Sequence, residues 1–134
     1  MRKRRVALVG LPPDTSTTLC RALDPRRYDV DQFGTPVSFL HVLGNLRATP
    51  PGWSPTYDLV LCRLDMPGIS GVGLLLQVRL ADPKITVVVS CPTVDDELVS
   101  DLQTLGAAVA QEPIEPEVFR SLLERVLVLT ARAD

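Results

Sequence analysis

The sequence predicts an α/β fold in which five β-strands alternate with five α-helices. Short β-branched or aliphatic runs are separated by segments whose apolar residues recur at helical spacing. Turn signals rich in Pro and Gly fall at the boundaries between these segments. Strands that alternate with helices pair in parallel through right-handed crossovers. We therefore expect a five-stranded (βα)5 three-layer sandwich.

The predicted strands are runs of residues that favour extended structure. They cover Val6–Val9, Tyr28–Phe33, Leu59–Arg63, Ile85–Val89 and Ala107–Gln111. The helices that follow them are predicted at Asp14–Leu23, Pro36–Arg47, Gly71–Leu80, Val94–Leu105 and Pro116–Thr130. Asp14 is interpreted as the N-cap of the first helix. In the last helix, Val118, Leu122 and Val126 recur near the helical period.

Composition fits one domain and excludes several classes of function. The chain has 134 residues, is 46% hydrophobic and has a formal net charge of −2. This charge gives no electrostatic case for nucleic acid or an anionic membrane. The apolar run Val6–Leu11 is too short for a signal peptide or a membrane span. The basic residues 2–5 before it are expected to be solvated.

The cysteine and histidine content also restricts the chemistry. Cys20, Cys62 and Cys91 are widely spaced and match no metal-ligand pattern, which favours a reducing compartment and a cytoplasmic protein. His41 is the only histidine and is expected on the polar side of its helix. Zinc sites and Ser-His-Asp triads are therefore not expected. Trp53 lies in a Pro- and Gly-rich loop and is expected to cap the end of the sheet.

The default site is the crevice where the carboxyl ends of the parallel strands meet. The loops there contribute Gly10-Leu11-Pro12-Pro13, Arg63-Leu64-Asp65-Met66-Pro67, Ser90-Cys91-Pro92-Thr93 and Glu112-Pro113. Arginine at the end of a buried strand is unusual, because a permanent cation is costly to bury without a partner.

Four segments read RVALVGLPPD, YDLVLCRLDMPGISGVGLLLQVR, DPKITVVVSC and LGAAVAQEP, and together they extend over nearly the whole chain. In this order they resemble the receiver domains of bacterial two-component response regulators. The resemblance implies a flavodoxin-like fold with strand order 2-1-3-4-5. It also implies a site for phosphorylation of an aspartate, with Mg²⁺ held by an acidic pair, and a nearby Ser/Thr and Lys.

The residues that stand at these positions do not have the required chemistry. The acidic pair corresponds to Gly10-Leu11, the phosphoacceptor to Arg63 and the lysine before proline to Glu112. The Ser/Thr corresponds to Cys91, or to Ser90 if one residue is deleted. Phosphoryl transfer needs a nucleophile and cations, and Mg²⁺ needs hard oxygen ligands. We therefore expect a pseudo-receiver with no catalytic activity, cofactor or Mg²⁺.

Two further features of the site follow from the resemblance. Receivers pair a carboxylate on the third strand with a cation after the fifth, and here the two charges are exchanged. Arg63 and Glu112 are therefore predicted to form an ion pair at the former phosphate site. The Glu112-Pro113 peptide bond is expected to be cis, as it usually is in receivers.

Three alternatives remain open for the site. Asp65 or Asp14 is a possible displaced phosphoacceptor. Cys91 is a possible reactive thiol, since a neighbouring arginine lowers a thiol pKa. A small molecule or nucleotide is a possible ligand, because Gly10–Thr17 precedes a helix N-terminus.

The expected function is protein-protein interaction with a protein partner or in a homodimer, without direct contact with nucleic acid or membrane. Two surfaces are candidates. One is the face of the fourth helix, fifth strand and fifth helix that many receivers use to dimerise, where Phe119, Leu123 and Leu127 widen an apolar stripe. The other is the third helix, where Leu76 and Leu80 lie outside the arc that packs on the sheet.

Overall fold

The predicted fold class and strand order are confirmed. The computed structural model describes residues 3–47 and 57–133, with side chains described for 3–44 and 57–127. Trp53 lies outside the described residues. The described strands form one parallel sheet in the order β2-β1-β3-β4-β5. They are β1 (Arg4–Val9), β2 (Tyr28–Phe33), β3 (Leu59–Arg63), β4 (Thr86–Cys91) and β5 (Ala107–Gln111).

The described helices alternate with the strands along the chain. They are α1 (Pro13–Ala22), α2 (Pro36–Arg47), α3 (Gly71–Ala81), α4 (Asp96–Thr104) and α5 (Pro116–Ala133). In α4 the Asp95 side chain accepts a 2.7 Å hydrogen bond from the Leu98 amide, so the helix starts after Asp95 and not at Val94. The interpretation of Asp14 as an N-cap is wrong. Pro12 occupies that position without a side-chain cap, and Asp14 lies in the first turn.

The sheet is covered on both faces, which produces two apolar cores. One core joins the sheet to α2, α3 and α4, and it includes Phe39, Leu75 and Leu102. The other joins the sheet to α1 and α5. Because neighbouring residues of a strand point to opposite faces, Val6 and Leu8 of β1 enter the second core while Ala7 and Val9 enter the first.

The three residues of α5 that were predicted to widen an interaction surface belong to the core. Phe119 and Leu123 are fully buried, and Leu127 is 3% exposed. They recur every four residues and form the stripe of α5 that packs in the core beneath α1 and α5. Assigning Phe119, Leu123 and Leu127 to an interaction surface is therefore wrong.

The described part of the basic N-terminal segment, residues 3–5, forms ion pairs and is not simply solvated. Arg4 lies 3.6 Å from Asp58, and Arg5 lies 3.3 Å from Asp31. The Arg5 guanidinium also stacks over the Tyr57 ring at 4.6 Å from its centroid. These contacts fix the first strand at the amino end of the sheet. Among the described helices, none has the length and apolar character that crossing a membrane requires.

Candidate functional site

The carboxyl ends of β3, β4 and β5 bring three polar side chains together. Arg63 is the last residue of β3 and is directly opposite Ser90 in the ladder between β3 and β4. The Leu64 amide donates to the Ser90 carbonyl at 2.7 Å, and the Glu112 amide donates to the Cys91 carbonyl at 2.8 Å. These backbone bonds hold the strand ends in register. They therefore position the side chains of Arg63, Ser90 and Glu112 in one cluster.

Arg63 and Glu112 form an ion pair with two hydrogen bonds. Arg63 Nε donates to Glu112 Oε1 at 2.7 Å, and Nη2 donates to Oε2 at 3.4 Å. The Arg63 side chain is 33% exposed and that of Glu112 is 20% exposed. The hydrogen bond with Glu112 raises the pKa of Arg63 above its ordinary value, so the guanidinium stays charged. The pair occupies the place where the resemblance puts a phosphoacceptor and a lysine.

Ser90, and not Cys91, has its side chain in this cluster. Ser90 Oγ donates to Glu112 Oε1 at 3.0 Å and is fully buried. Successive residues of a strand point to opposite faces, so Cys91 is directed away from the pair. Burial, together with the negative charge of Glu112, raises the pKa of the Cys91 thiol. A reactive thiolate needs a lowered pKa, and the structure therefore gives no support to a redox role for Cys91.

The two positions that correspond to the acidic pair have no side-chain oxygen. Gly10 has a φ of +71°, and a Cβ added there would lie 2.4 Å from Met66 Sδ. Leu11 is buried in the core beneath α1 and α5. The Met66 thioether therefore fills the space next to Gly10 that an acidic side chain would need. Within the described residues, no group of three or more His, Cys, Asp and Glu side chains is placed to hold a metal ion.

The two carboxylates that were considered as displaced phosphoacceptors are exposed and are not hydrogen-bonded to the Arg63–Glu112–Ser90 cluster. Asp65 and Asp14 are both exposed. Asp65 lies close enough to Arg63 for its charge to contribute to the raised pKa of the guanidinium. Neither carboxylate makes a hydrogen bond to the cluster among the described residues.

A cavity of about 350 Å³ opens above the ion pair. Its polar floor is formed by Arg63, Ser90 and Glu112, and Thr15 lies at its side. The remaining wall is apolar and is formed by Leu11, Pro12, Pro92, Pro113 and Ile114. The Glu112-Pro113 peptide bond is cis. The arrangement has the size and composition of a small-molecule site.

Comparison with known proteins identifies the fold of the chain but not its family or function. No family model matches the chain, and no curated protein matches it in sequence. Solved structures do match. A CheY-like response regulator receiver domain protein from Methanospirillum hungatei JF-1 has a TM-score of 0.83 and 16% identity, and the match covers 99% of this chain and 100% of that one.

Two further structures give the same result. The signal receiver domain of an HD domain-containing protein from Pseudomonas fluorescens Pf-5 has a TM-score of 0.78 and 19% identity, with 98% of this chain and 99% of that one covered. CheY in a CheX-CheY-BeF3-Mg²⁺ complex from Borrelia burgdorferi has a TM-score of 0.75 and 19% identity, with 94% and 88% covered. The chain therefore has the fold of CheY-like receiver domains.

Sequence reasoning placed the crevice at the strand ends but missed two details of it. It did not find that Met66 fills the space beside Gly10, and it did not include Ile114 in the cavity wall. A signal for Met66 was present, because this residue lies in the loop that follows Arg63. Ile114 had no such signal, since its position depends on how the loop after the last strand packs.

Proposed function

We propose that this protein is a pseudo-receiver, a single receiver-like domain over residues 1–134 that signals through protein-protein interaction in the cytoplasm. It is not switched by aspartyl phosphorylation and has no catalytic activity. The observation that carries the proposal is Arg63 at the end of β3, with its guanidinium bonded to Glu112 at 2.7 Å. Support for a signalling role comes from the receiver fold that the chain shares with CheY-like proteins.

The chemistry of the site explains why phosphorylation is not expected. Arginine has no lone pair with which to attack phosphorus, since its guanidinium stays protonated at any accessible pH. Mg²⁺ requires hard oxygen ligands, usually carboxylates, whereas the side chains of Gly10, Leu11 and Met66 contain no oxygen. The carboxylate of Glu112 would repel the phosphoryl oxygens that a lysine would neutralise. The nucleophile, the metal-binding side chains and the lysine that the reaction needs are therefore all replaced at the positions where the resemblance puts them.

The first prediction concerns phosphorylation itself. Incubation of the protein with acetyl phosphate and Mg²⁺ is expected to leave its intact mass unchanged, because Arg63 stands at the phosphoacceptor position and the side chains of Gly10 and Leu11 cannot hold Mg²⁺. A receiver domain that is readily phosphorylated, treated in parallel, provides the positive control. Addition of one phosphoryl group would contradict the proposal. Peptide mapping would then show whether Asp65 or Asp14 is the acceptor.

Among the described residues, the surface of α3 has two neighbouring exposed leucines that suit a partner. Leu76 is 46% exposed and Leu80 is 76% exposed, one helical turn apart. Leu74, Leu75 and Val78 of the same helix are fully buried, so the helix packs on the sheet without the two exposed leucines. One structural neighbour, CheY of the CheX-CheY complex, binds another protein. We propose that Leu76 and Leu80 contact a protein partner or a second copy of this chain.

A double substitution tests this surface. The Leu76→Glu plus Leu80→Glu variant is expected to lose self-association, measured by analytical ultracentrifugation, or binding to the partner captured from the native host. The free energy of unfolding is expected to change by about 0.5 kcal/mol or less for each exposed site, since glutamate and leucine have similar helix propensities.

Val118→Glu provides a matched control, because Val118 is 58% exposed on a different helix. It is expected to leave association unchanged. Association that survives in the double variant would rule out the α3 surface. A large loss of stability in that variant would show that the two leucines contribute to the core.

A further inference from the structure

The cavity above Arg63 and Glu112 has a composition that selects one chemical class of ligand. We infer that it binds a small uncharged molecule with an apolar body and a carbonyl acceptor, such as a carboxamide. The inference rests on three properties of the cavity: the apolar wall, the balance of charge at the floor, and the hydrogen-bond donors that remain available.

The wall of the cavity favours an apolar ligand body. Five of its lining residues present only hydrocarbon side chains: Leu11, Pro12, Pro92, Pro113 and Ile114. Covering this surface with a ring or a short aliphatic chain removes apolar area from water. The volume of about 350 Å³ lies in the range of small-molecule sites and is too small for a folded partner.

The floor of the cavity is electrically balanced. The positive charge of Arg63 is bonded to the negative charge of Glu112, and no other ionised side chain lines the cavity within the described part of the chain. An anionic ligand would meet the Glu112 carboxylate, and a cationic ligand would meet the guanidinium. Either ion would lose hydration without gaining an unpaired countercharge. A neutral ligand avoids this cost.

Hydrogen-bond donors remain unused at the floor and side of the cavity. Arg63 uses Nε and Nη2 for Glu112, and its Nη1 has no hydrogen-bond partner within the described residues. The Thr15 hydroxyl, at the side of the cavity, also forms no hydrogen bond to a described residue. A carbonyl oxygen accepts from both kinds of donor. The ligand is therefore expected to direct its carbonyl towards Arg63 and its apolar body towards the prolines.

Phosphate-containing ligands fit the same cavity poorly. The α1 N-terminus begins with Pro12 and Pro13, which have no backbone N–H to donate to a phosphate. Glu112 adds a negative charge where a phosphate would be bound. The inferred ligand class therefore excludes nucleotides.

Three probes of one shape and different charge test the inference. Benzamide is neutral, benzoate is an anion and benzamidine is a cation, and each is titrated at millimolar concentration into the ¹⁵N-labelled protein. Benzamide is expected to shift the backbone amide signals of Leu11, Thr15, Ser90 and Ile114, and to bind at least several-fold more tightly than either ion. Tighter binding of either ion would overturn the inference. No shifts at these amides with any probe, or shifts spread over the surface, would do the same.

Two variants and one control connect such binding to the cavity. Pro92→Trp places a bulky side chain at the exposed rim and is expected to abolish the benzamide shifts, while Val37→Trp on α2 is expected to leave them unchanged. Arg63→Lys retains a cation for Glu112 but loses the planar guanidinium that presents Nη1 in a fixed direction beside Nε and Nη2, and is expected to weaken binding about tenfold. Equal binding in Pro92→Trp and Val37→Trp would overturn the inference. The phosphorylation experiment is a separate test. Phosphorylation of the protein would contradict the proposed function, whereas the binding of benzamide to the cavity would be measured independently of it.

Discussion

Replacing Phe119 with alanine is expected to lower the free energy of unfolding by about 3–5 kcal/mol. Phe119 is fully buried and packs with Leu8, Leu19 and Leu123 in the core that joins α1 and α5 to the sheet. Truncation removes most of an aromatic side chain and leaves a cavity that the surrounding strands fill only in part. Urea denaturation monitored by circular dichroism gives the unfolding free energy directly.

The adjacent residue is a matched control for this experiment. Val118 precedes Phe119 in the same helix but is 58% exposed, so Val118→Ala is expected to change the unfolding free energy by about 0.5 kcal/mol or less. A similarly small effect for Phe119→Ala would mean that this residue is outside the core. In that case Phe119 would again be a candidate for the interaction surface.

The error on α5 has a simple physical cause. Val118, Leu122 and Val126 form one stripe at helical spacing, and Phe119, Leu123 and Leu127 form a second stripe one residue further along. Adjacent residues of a helix differ by about 100° in direction, so both stripes satisfy the same periodicity. Only the packing decides which one faces the sheet. The structure buries Phe119, Leu123 and Leu127 and leaves Val118 exposed.

The fold itself was predictable because several independent features of the sequence indicate the same structure. Apolar runs, helical spacing and turn residues all indicate the same alternation, and parallel pairing follows from the connections. The ends of the helices were predicted less well, because side-chain caps decide where a helix begins. The start of α4 depends on one hydrogen bond from the Leu98 amide to Asp95, which periodicity does not report.

For the site, the sequence predicted only which residues lie close together because of the order of the strands. Arg63 and Glu112 follow strands that end at the same edge of a parallel sheet, so their proximity follows from topology. The choice between Ser90 and Cys91 was not predictable. The strand that contains them is buried on both faces, and such strands have no alternation of polar and apolar residues from which to assign a face.

Charge reversal at Arg63 is expected to have the second-largest effect on stability. Arg63→Glu replaces an attraction at 2.7 Å with a repulsion between two carboxylates. The pair is partly buried, so we expect a loss of about 2–3 kcal/mol, between the values for exposed and fully buried pairs. Glu112→Arg is expected to cost a similar amount, and it also removes the acceptor of the buried Ser90 hydroxyl.

Combining the two substitutions separates the ion pair from the other contacts at the site. The double variant Arg63→Glu plus Glu112→Arg restores opposite charges and is expected to recover more than half of the summed loss, as urea denaturation of all four proteins would show. Arg120→Glu is the control, because Arg120 faces Glu117 at 4.0 Å on the exposed side of α5 and is expected to cost about 0.5 kcal/mol or less. Strictly additive losses at Arg63 and Glu112 would mean that the two charges do not interact. The physical basis of the proposed pseudo-receiver, a cation held where the phosphoacceptor would stand, would then be lost.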